Sequence, residues 1–297
     1  MKAITKKWIY LAILSLVWGS SFILIKKALI GLTPLQLGAL RTLFAAAFLL
    51  LIGFNSLKKI KRNEWKWIVI SAFLGTFFPA FLFAFAETEI DSAVASVLNS
   101  TTPIVTLLLG ALVFSIGFSR RQLVGVLVGL LGSFLLIWVG AEVNPDQNYL
   151  YSGFVLIASV CYACNVNIIK RYLQNIPAIA IAVGNFVVLI IPALIVLFFS
   201  EFFQQPFTTD PLILESLGYL AILAVVGTGI AKILFNKLVQ ISTPVFSTSV
   251  TYTIPIVALM WGVLDGETFT VFQVLAASLI VFGVYLSNKR KKKNATH

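Results

Sequence analysis

The chain has 297 residues, of which 59% are hydrophobic and 11% charged, with a formal net charge of +11. Soluble domains run to roughly half apolar and about a quarter charged residues, so this composition excludes an ordinary soluble fold and points to the membrane. Long apolar segments take up nearly the whole length and leave no separate domain in which a catalytic centre could be housed.

A membrane-spanning helix needs about 20 apolar residues. Such segments fall at 8–25, 35–54, 67–86, 92–114, 122–139, 153–169, 178–199, 217–236, 245–264 and 271–287. The lysines before the first resemble the charged start of a signal peptide, but no small-residue cleavage site follows, so it reads as a retained span. Trp18 and Ser21 lie one turn apart in it and put an aromatic wall beside a hydrogen-bonding group. The span ends at Lys26 and Lys27, which read as side chains snorkelling outward.

The second segment carries Arg41, about two turns from its helix end at a rise of about 1.5 Å per residue. The third is rich in phenylalanine (Phe77, Phe78, Phe81, Phe83, Phe85), which at this density reads as packing or lipid contact, and it ends at Glu87. In the fourth, Ser96, Asn99, Thr102 and Thr106 recur at helical spacing, and Pro103 interrupts the backbone ladder. The fifth presents Gly125, Gly129 and Gly132, a small-residue face suited to close helix packing and to a homodimer contact.

The sixth segment pairs Tyr162 with Asn165 one turn on, and its Cys161 and Cys164 read as small packed residues rather than a redox pair. The eighth holds Lys232, about one turn from its helix end, where snorkelling is again open to it. The ninth offers Thr248, Tyr252 and Pro255 in the register of the fourth. After the tenth comes the basic run 289–293, which beside a final span reads as a topology anchor and not as a nucleic-acid patch.

Charge alternates with the spans. One side collects Lys2, Lys6, Lys7, Lys58, Lys59, Lys61, Arg62, Lys66, Arg120, Arg121, Lys170, Arg171, Lys237 and the terminal run, and the other collects Glu87, Glu89, Asp91, Glu142, Asp146, Glu201, Asp210, Glu215, Asp265 and Glu267. By the positive-inside rule both termini are cytoplasmic. The sequon at Asn294 then lies on the cytoplasmic side and is discounted.

An enzyme lacks its parts. The single histidine, His297, ends the chain, and every carboxylate except Glu64 sits in an outer loop or at an outer helix end. No Ser/His/Asp or Cys/His set, phosphate loop or metal-ligand spacing is present, so no catalytic residue, metal or cofactor is expected. Positive charge on Arg41 and Lys232 would favour carboxylate-bearing or zwitterionic solutes in a pathway.

The chain also repeats itself. Residues 75–83 return without a gap as 227–235, and the same register carries Pro103 onto Pro255 and Gly110 onto Gly262. Trp18, Ser21, Lys26 and Lys27 match Tyr162, Asn165, Lys170 and Arg171, and Gln122, Gly125 and Gly132 match Gln273, Ala276 and Gly283, while the second segments match weakly, Arg41 falling near Asn185. Each copy has an odd number of spans, so the second enters the bilayer from the opposite face, as the inverted repeats of secondary transporters do.

Trp18-Gly19-Ser20-Ser21-Phe22 with Lys26, the stretch 93–102 followed by Pro103-Ile104, and Gly266-Glu267 before the last span resemble the EamA family of the drug/metabolite transporter superfamily. The likeness covers nearly the whole chain. It implies a ten-helix inverted-repeat fold whose central cavity is lined by the first, third, fourth, sixth, eighth and ninth spans, and export of amino acids or related metabolites. Two positions depart from it: Glu267 faces Ile116 in the other copy, and Lys232 stands where its mate is Ala80.

The expectation is therefore an all-α polytopic protein of a bacterial-type cytoplasmic membrane, with repeats at 1–140 and 149–290 and a basic tail at 291–297. The substrate pathway is assigned to Trp18, Ser21, Asn99, Thr102, Pro103, Tyr162, Asn165, Lys232, Tyr252 and Pro255, with Glu87 as the candidate for coupling. Its partners are a small-molecule substrate and the lipid bilayer. Efflux of amphipathic drugs and a non-transporting membrane scaffold are the alternatives.

Overall fold

Lipid offers no hydrogen bonds to a bare backbone, so each segment must satisfy its own amides and carbonyls, and helices are the outcome. A computed structural model describes residues 3–114, 120–143, 147–206, 208–267 and 270–288. Ile116, Asp146, the run 289–293, Asn294 and His297 lie outside these residues, as do Lys2, the basic tail and the side chain of Glu142. The described residues form no strand.

Among the described residues the long helices are, in chain order, α1 (Ala3–Ala28), α2 (Pro34–Gly53), α3 (Trp65–Ala86), α4 (Ser92–Val113), α5 (Arg120–Val143), α6 (Tyr149–Tyr172), α7 (Ala178–Phe199), α8 (Pro211–Ile241), α9 (Pro244–Leu264) and α10 (Val271–Asn288). Eight of them are long and apolar enough to cross a bilayer, and α5 and α10 contribute shorter apolar stretches at Leu123–Leu136 and Val271–Gly283.

Helix starts follow local chemistry. Thr33 caps α2 in a reciprocal box with Gln36, and Pro34 occupies the first turn, where its missing N–H costs nothing. Gln36 then uses its Nε2 to hold Ser200 O beyond the end of α7, at 2.9 Å. Thr243 caps α9 by accepting from Phe246 N and Asp210 caps α8 by accepting from Leu212 N, each followed by a proline in the first turn.

Packing joins early helices to late ones. α5 lies along α10 and α2 along α7; α1 packs on α8 and α9, and α6 packs on α3 and α4. Exchanging each helix with its counterpart five places away leaves this pattern unchanged. Without a hydrophobic drive between helices in lipid, close contact needs small residues. A Cβ on Gly283 would fall 2.6 Å from Gly125 O, and one on Gly132 would fall 2.8 Å from Ile280 N. The glycine stripe of α5 is thus occupied by α10 of the same chain, which removes it as a dimer face.

A cavity between broken helices

Two helices lose their regular ladder at matching places. Phe73–Phe77 in α3 and Leu223–Ile230 in α8 are wound as π-helix, a widened turn that releases carbonyls from the usual pairing. The stretches contain Gly75 and Gly227, which the sequence aligns. Each released carbonyl is taken by the other half of the chain: Lys232 Nζ donates to Gly75 O over 2.6 Å, and Trp18 Nε1 donates to Gly227 O over 3.0 Å. Space also demands glycine at both points, since a Cβ on Gly75 would lie 2.5 Å from Asn165 Cγ and one on Gly227 would lie 2.7 Å from Ser21 Oγ.

A second pair of breaks faces the first. α4 turns at Ser100 and Thr101 just before Pro103, and α9 tightens to a 3-10 turn over Ser249–Tyr252 before Pro255. Among the four breaks lies a cavity of about 100 Å³ with walls from α1, α2, α3, α4, α6, α8 and α9. Trp18, Ser21, Asn99, Thr102, Tyr162, Asn165 and Lys232 border it.

Pro103, Tyr252 and Pro255 do not border it. Tyr252 and Pro255 instead face an apolar cleft of about 530 Å³ on the α10 side, with Val274 and Phe282. The discrepancy is one of register: Asn99 stands four residues before Pro103, and the residue four before Pro255 is Thr251, which does line the cavity. One position along a helix turns a side chain by about 100°. Pro103 shapes its helix without reaching the cavity. The polar stripe of α4 is also shorter than its spacing suggests, because Ser96 Oγ and Thr106 Oγ1 donate to Ala93 O and Thr102 O in their own helix.

The second helix joins the lining, through Arg41 and Thr42. Arg41 Nε donates to Thr228 Oγ1 at 2.8 Å, and that hydroxyl donates to Leu223 O at the start of the π stretch. Thr76, which aligns with Thr228, also borders the cavity, but its Oγ1 has no hydrogen-bond partner among the described residues. Lys232 is buried and does not snorkel. Asn165 Oδ1 accepts from Ser71 Oγ at 2.7 Å, which fixes the amide against the bare face of Gly75.

Charged groups clasp the bundle at its acidic end. Lys26 Nζ lies 2.8 Å from Glu267 Oε1 and 3.0 Å from Asp265 Oδ2, and Lys27 pairs with Asp265. The snorkelling reading of Lys26 and Lys27 is therefore wrong, because carboxylates of the α9–α10 loop reach them first. Gly266, with φ of +88°, makes the turn that sends Glu267 back into the protein. There Glu267 also accepts from Ser92 Oγ at 2.7 Å and from the Ser92 and Ala93 amides, at the N-terminus of α4 where the helix dipole favours an anion. The site set read from the sequence lacks Glu267 and Arg41, although the Gly-Glu pair and a lone arginine in an apolar segment were the signals available.

Burial works against ionisation of Asp265, but the Lys27 and Lys26 ammonium groups prevail and hold its carboxyl below the usual carboxylate range. A depressed folded value means that its contribution is present above the ordinary value near 4 and is lost as pH falls through the folded one. The pairing of Asp265 with the two lysines should accordingly be indifferent to pH between about 5 and 8 and loosen only in stronger acid, which a series of thermal melts from neutral pH down to acid can check.

At the basic end Lys170, which aligns with Lys26, uses carbonyls instead: its Nζ donates to Ser242 O at 2.7 Å, and Gln240 Nε2 donates to Ile176 O at 2.6 Å. Glu87 is buried just past α3, outside the cavity lining, and neither of its oxygens has a hydrogen-bond partner among the described residues. Cys161 and Cys164 are unbridged, and the described residues hold no cluster suited to a metal ion.

Helices opened at matched depths around a cavity with a few polar groups in its wall are the arrangement seen in broken-helix membrane transporters. The EamA-like transporter family model matches residues 6–138 and 150–289, and the chain belongs to that family. It is a multi-pass cell-membrane transporter. It is 30% identical over 290 residues to a protein of Salmonella typhimurium (strain LT2) named as a probable amino-acid metabolite efflux pump, with 94% of this chain and 93% of that one covered. It is 28% identical over 280 residues to the inner membrane transporter YedA of Escherichia coli (strain K12), with 92% and 87% covered. A solved crystal structure, 17% identical and covering 96% of each chain, superposes with a TM-score of 0.67 and shares the fold.

Proposed function

We propose that the protein is a secondary transporter that exports small organic metabolites by alternating access, through two inverted five-helix repeats at 1–140 and 149–290 with both termini in the cytoplasm. The observation that carries this reading is the reciprocal contact at the π stretches, where each half supplies the donor that holds the other half's opened helix. Such contacts can be made and released in turn on the two faces of the bilayer. The names of the relatives support outward movement of metabolites. Purified protein in liposomes, assayed over a metabolite panel with and without a proton gradient, tests it; absence of carrier-mediated flux for every solute would overturn the transport reading.

The orientation has its own test. With Cys161 and Cys164 replaced, a single cysteine at Gln147 is expected to react with an impermeant thiol reagent added outside, and one at Asn63 is not. Outside labelling at Asn63 would reverse the topology.

Glu87 is assigned as the proton carrier of whatever coupling exists, because an acid buried without partners is the group best placed to exchange a proton during a conformational change. Coupling is expected to be loose, since no carboxylate among the described residues borders the cavity. Glu87→Gln should leave downhill flux within about twofold of wild type and remove any proton-driven accumulation. Accumulation retained in the variant would free Glu87 of the role.

A further inference from the structure

We propose that the central cavity selects small carboxylates that carry an apolar group and no ammonium group, so that a 2-oxo acid is preferred over the amino acid with the same side chain. The inference deepens the transport reading and rests on it. Its basis is a charge imbalance. Arg41 and Lys232 both border the cavity, and no aspartate or glutamate among the described residues does. Neither cation has a carboxylate within ion-pairing distance among the described residues. Their hydrogen bonds run to neutral groups, Thr228 Oγ1 for Arg41 and Gly75 O for Lys232. Buried charge is costly unless it is paired, and the cost is greater at membrane depth.

The two cations are also the places where the molecule departs from its own repeat. Lys232 aligns with Ala80, which borders the same cavity, while Arg41 falls near Asn185, which is buried away from it. Around them stand unused donors. Thr76 Oγ1 is buried without a partner, and the Nη groups of Arg41 and Nδ2 of Asn165 make no hydrogen bond among the described residues. A carboxylate placed here would receive charge-assisted hydrogen bonds from Arg41 and Lys232 and a neutral one from Thr76. The remaining wall is apolar, with Phe22, Phe83 and Phe235 suited to a hydrocarbon or aromatic group. An ammonium on the same solute would meet two like charges and no carboxylate in the lining, buried Glu87 lying outside it, and that distinguishes an organic anion from a zwitterion.

Binding and flux are read separately. Purified protein is melted with phenylpyruvate against phenylalanine and with α-ketoisocaproate against leucine, and the same four solutes are followed in liposome counterflow. The oxo acids are expected to stabilise the protein at concentrations at least tenfold below their amino-acid partners. Lys232→Gln and Arg41→Gln are each expected to weaken oxo-acid binding at least tenfold, and Lys232→Arg is expected to stay within threefold of wild type. Equal or tighter binding of the amino acids, no stabilisation by either oxo acid, or unchanged oxo-acid binding in a folded Lys232→Gln or Arg41→Gln protein would overturn the proposal. The wild-type comparison decides the matter if the variants do not fold. Stabilisation by oxo acids without flux of any solute would uphold the site and count against transport; counterflow of amino acids with no oxo-acid binding would do the reverse.

Discussion

Gly75→Ala should cut flux per molecule by at least about tenfold while most of the protein still reaches the membrane. The new methyl carbon would sit 2.5 Å from Asn165 Cγ, too close for either group to stay where it is. Overpacking of this kind costs about 1–3 kcal/mol. Asn165 is held on its other side by Ser71, so the strain is expected to pass into α3 and to shift the carbonyl that Lys232 holds. A state destabilised by about 1.4 kcal/mol loses about tenfold in population. Gly218, whose Cβ would meet nothing within 4 Å, supplies the control: Gly218→Ala on α8 should behave as wild type. Normal turnover in Gly75→Ala would show that this contact is slack and that the π stretch does not position the cavity.

Glu267→Gln should open the acidic end. The carboxylate is nearly fully buried and answers to four donors: Lys26 Nζ, Ser92 Oγ and the Ser92 and Ala93 amides. The amide that replaces it keeps one acceptor oxygen, loses the charge, and turns an N–H toward donors. Removing one member of a buried ion pair costs about 3–5 kcal/mol. The expected figure here is smaller, about 1–3 kcal/mol, because Lys26 is 34% exposed and keeps Asp265. A cysteine at Asn99, in the background without Cys161 and Cys164, should then react with an external impermeant reagent at least tenfold faster than with Glu267 intact. Glu267→Asp is expected to fall between the two. An unchanged labelling rate would make Glu267 a fixed cap on α4 with no part in opening.

Much of the architecture is legible in the chain, and the reason is physical. Lipid forces each apolar segment to be a helix, so the helices read from residues 178–199 or 92–114 need only their ends adjusted. The ungapped internal repeat of 75–83 likewise leads directly to two glycines that face one cavity. What the sequence hides is rotation and partnership. Tyr252 ends a 3-10 turn three residues before Pro255, and there the cavity wall falls to its neighbour Thr251. Lys26 and Lys27 resemble ordinary snorkelling side chains until the loop carrying Asp265 and Glu267 is seen to fold over them, a contact between residues some 240 positions apart. Arg41 reads from the sequence as a deep cation but not as a wall of the cavity, because the second segments share too little sequence for one to inform the other.

The pairing of α5 with α10 has a consequence for how the protein is made. A ribosome delivers α5 long before α10 exists, so the glycine face that will receive Gly283 spends half of synthesis against lipid or against whatever membrane factor shields it. The same is true of α2, which waits for α7, and of α1, which waits for α8 and α9. The early helices are inserted as a set of rods with few lasting neighbours, and the last helix to arrive is the one that closes the set. A chain stopped short of residue 271 would therefore lose more than one helix's worth of order, and quality control at the membrane would meet the nascent protein with its smallest-residue surface still bare.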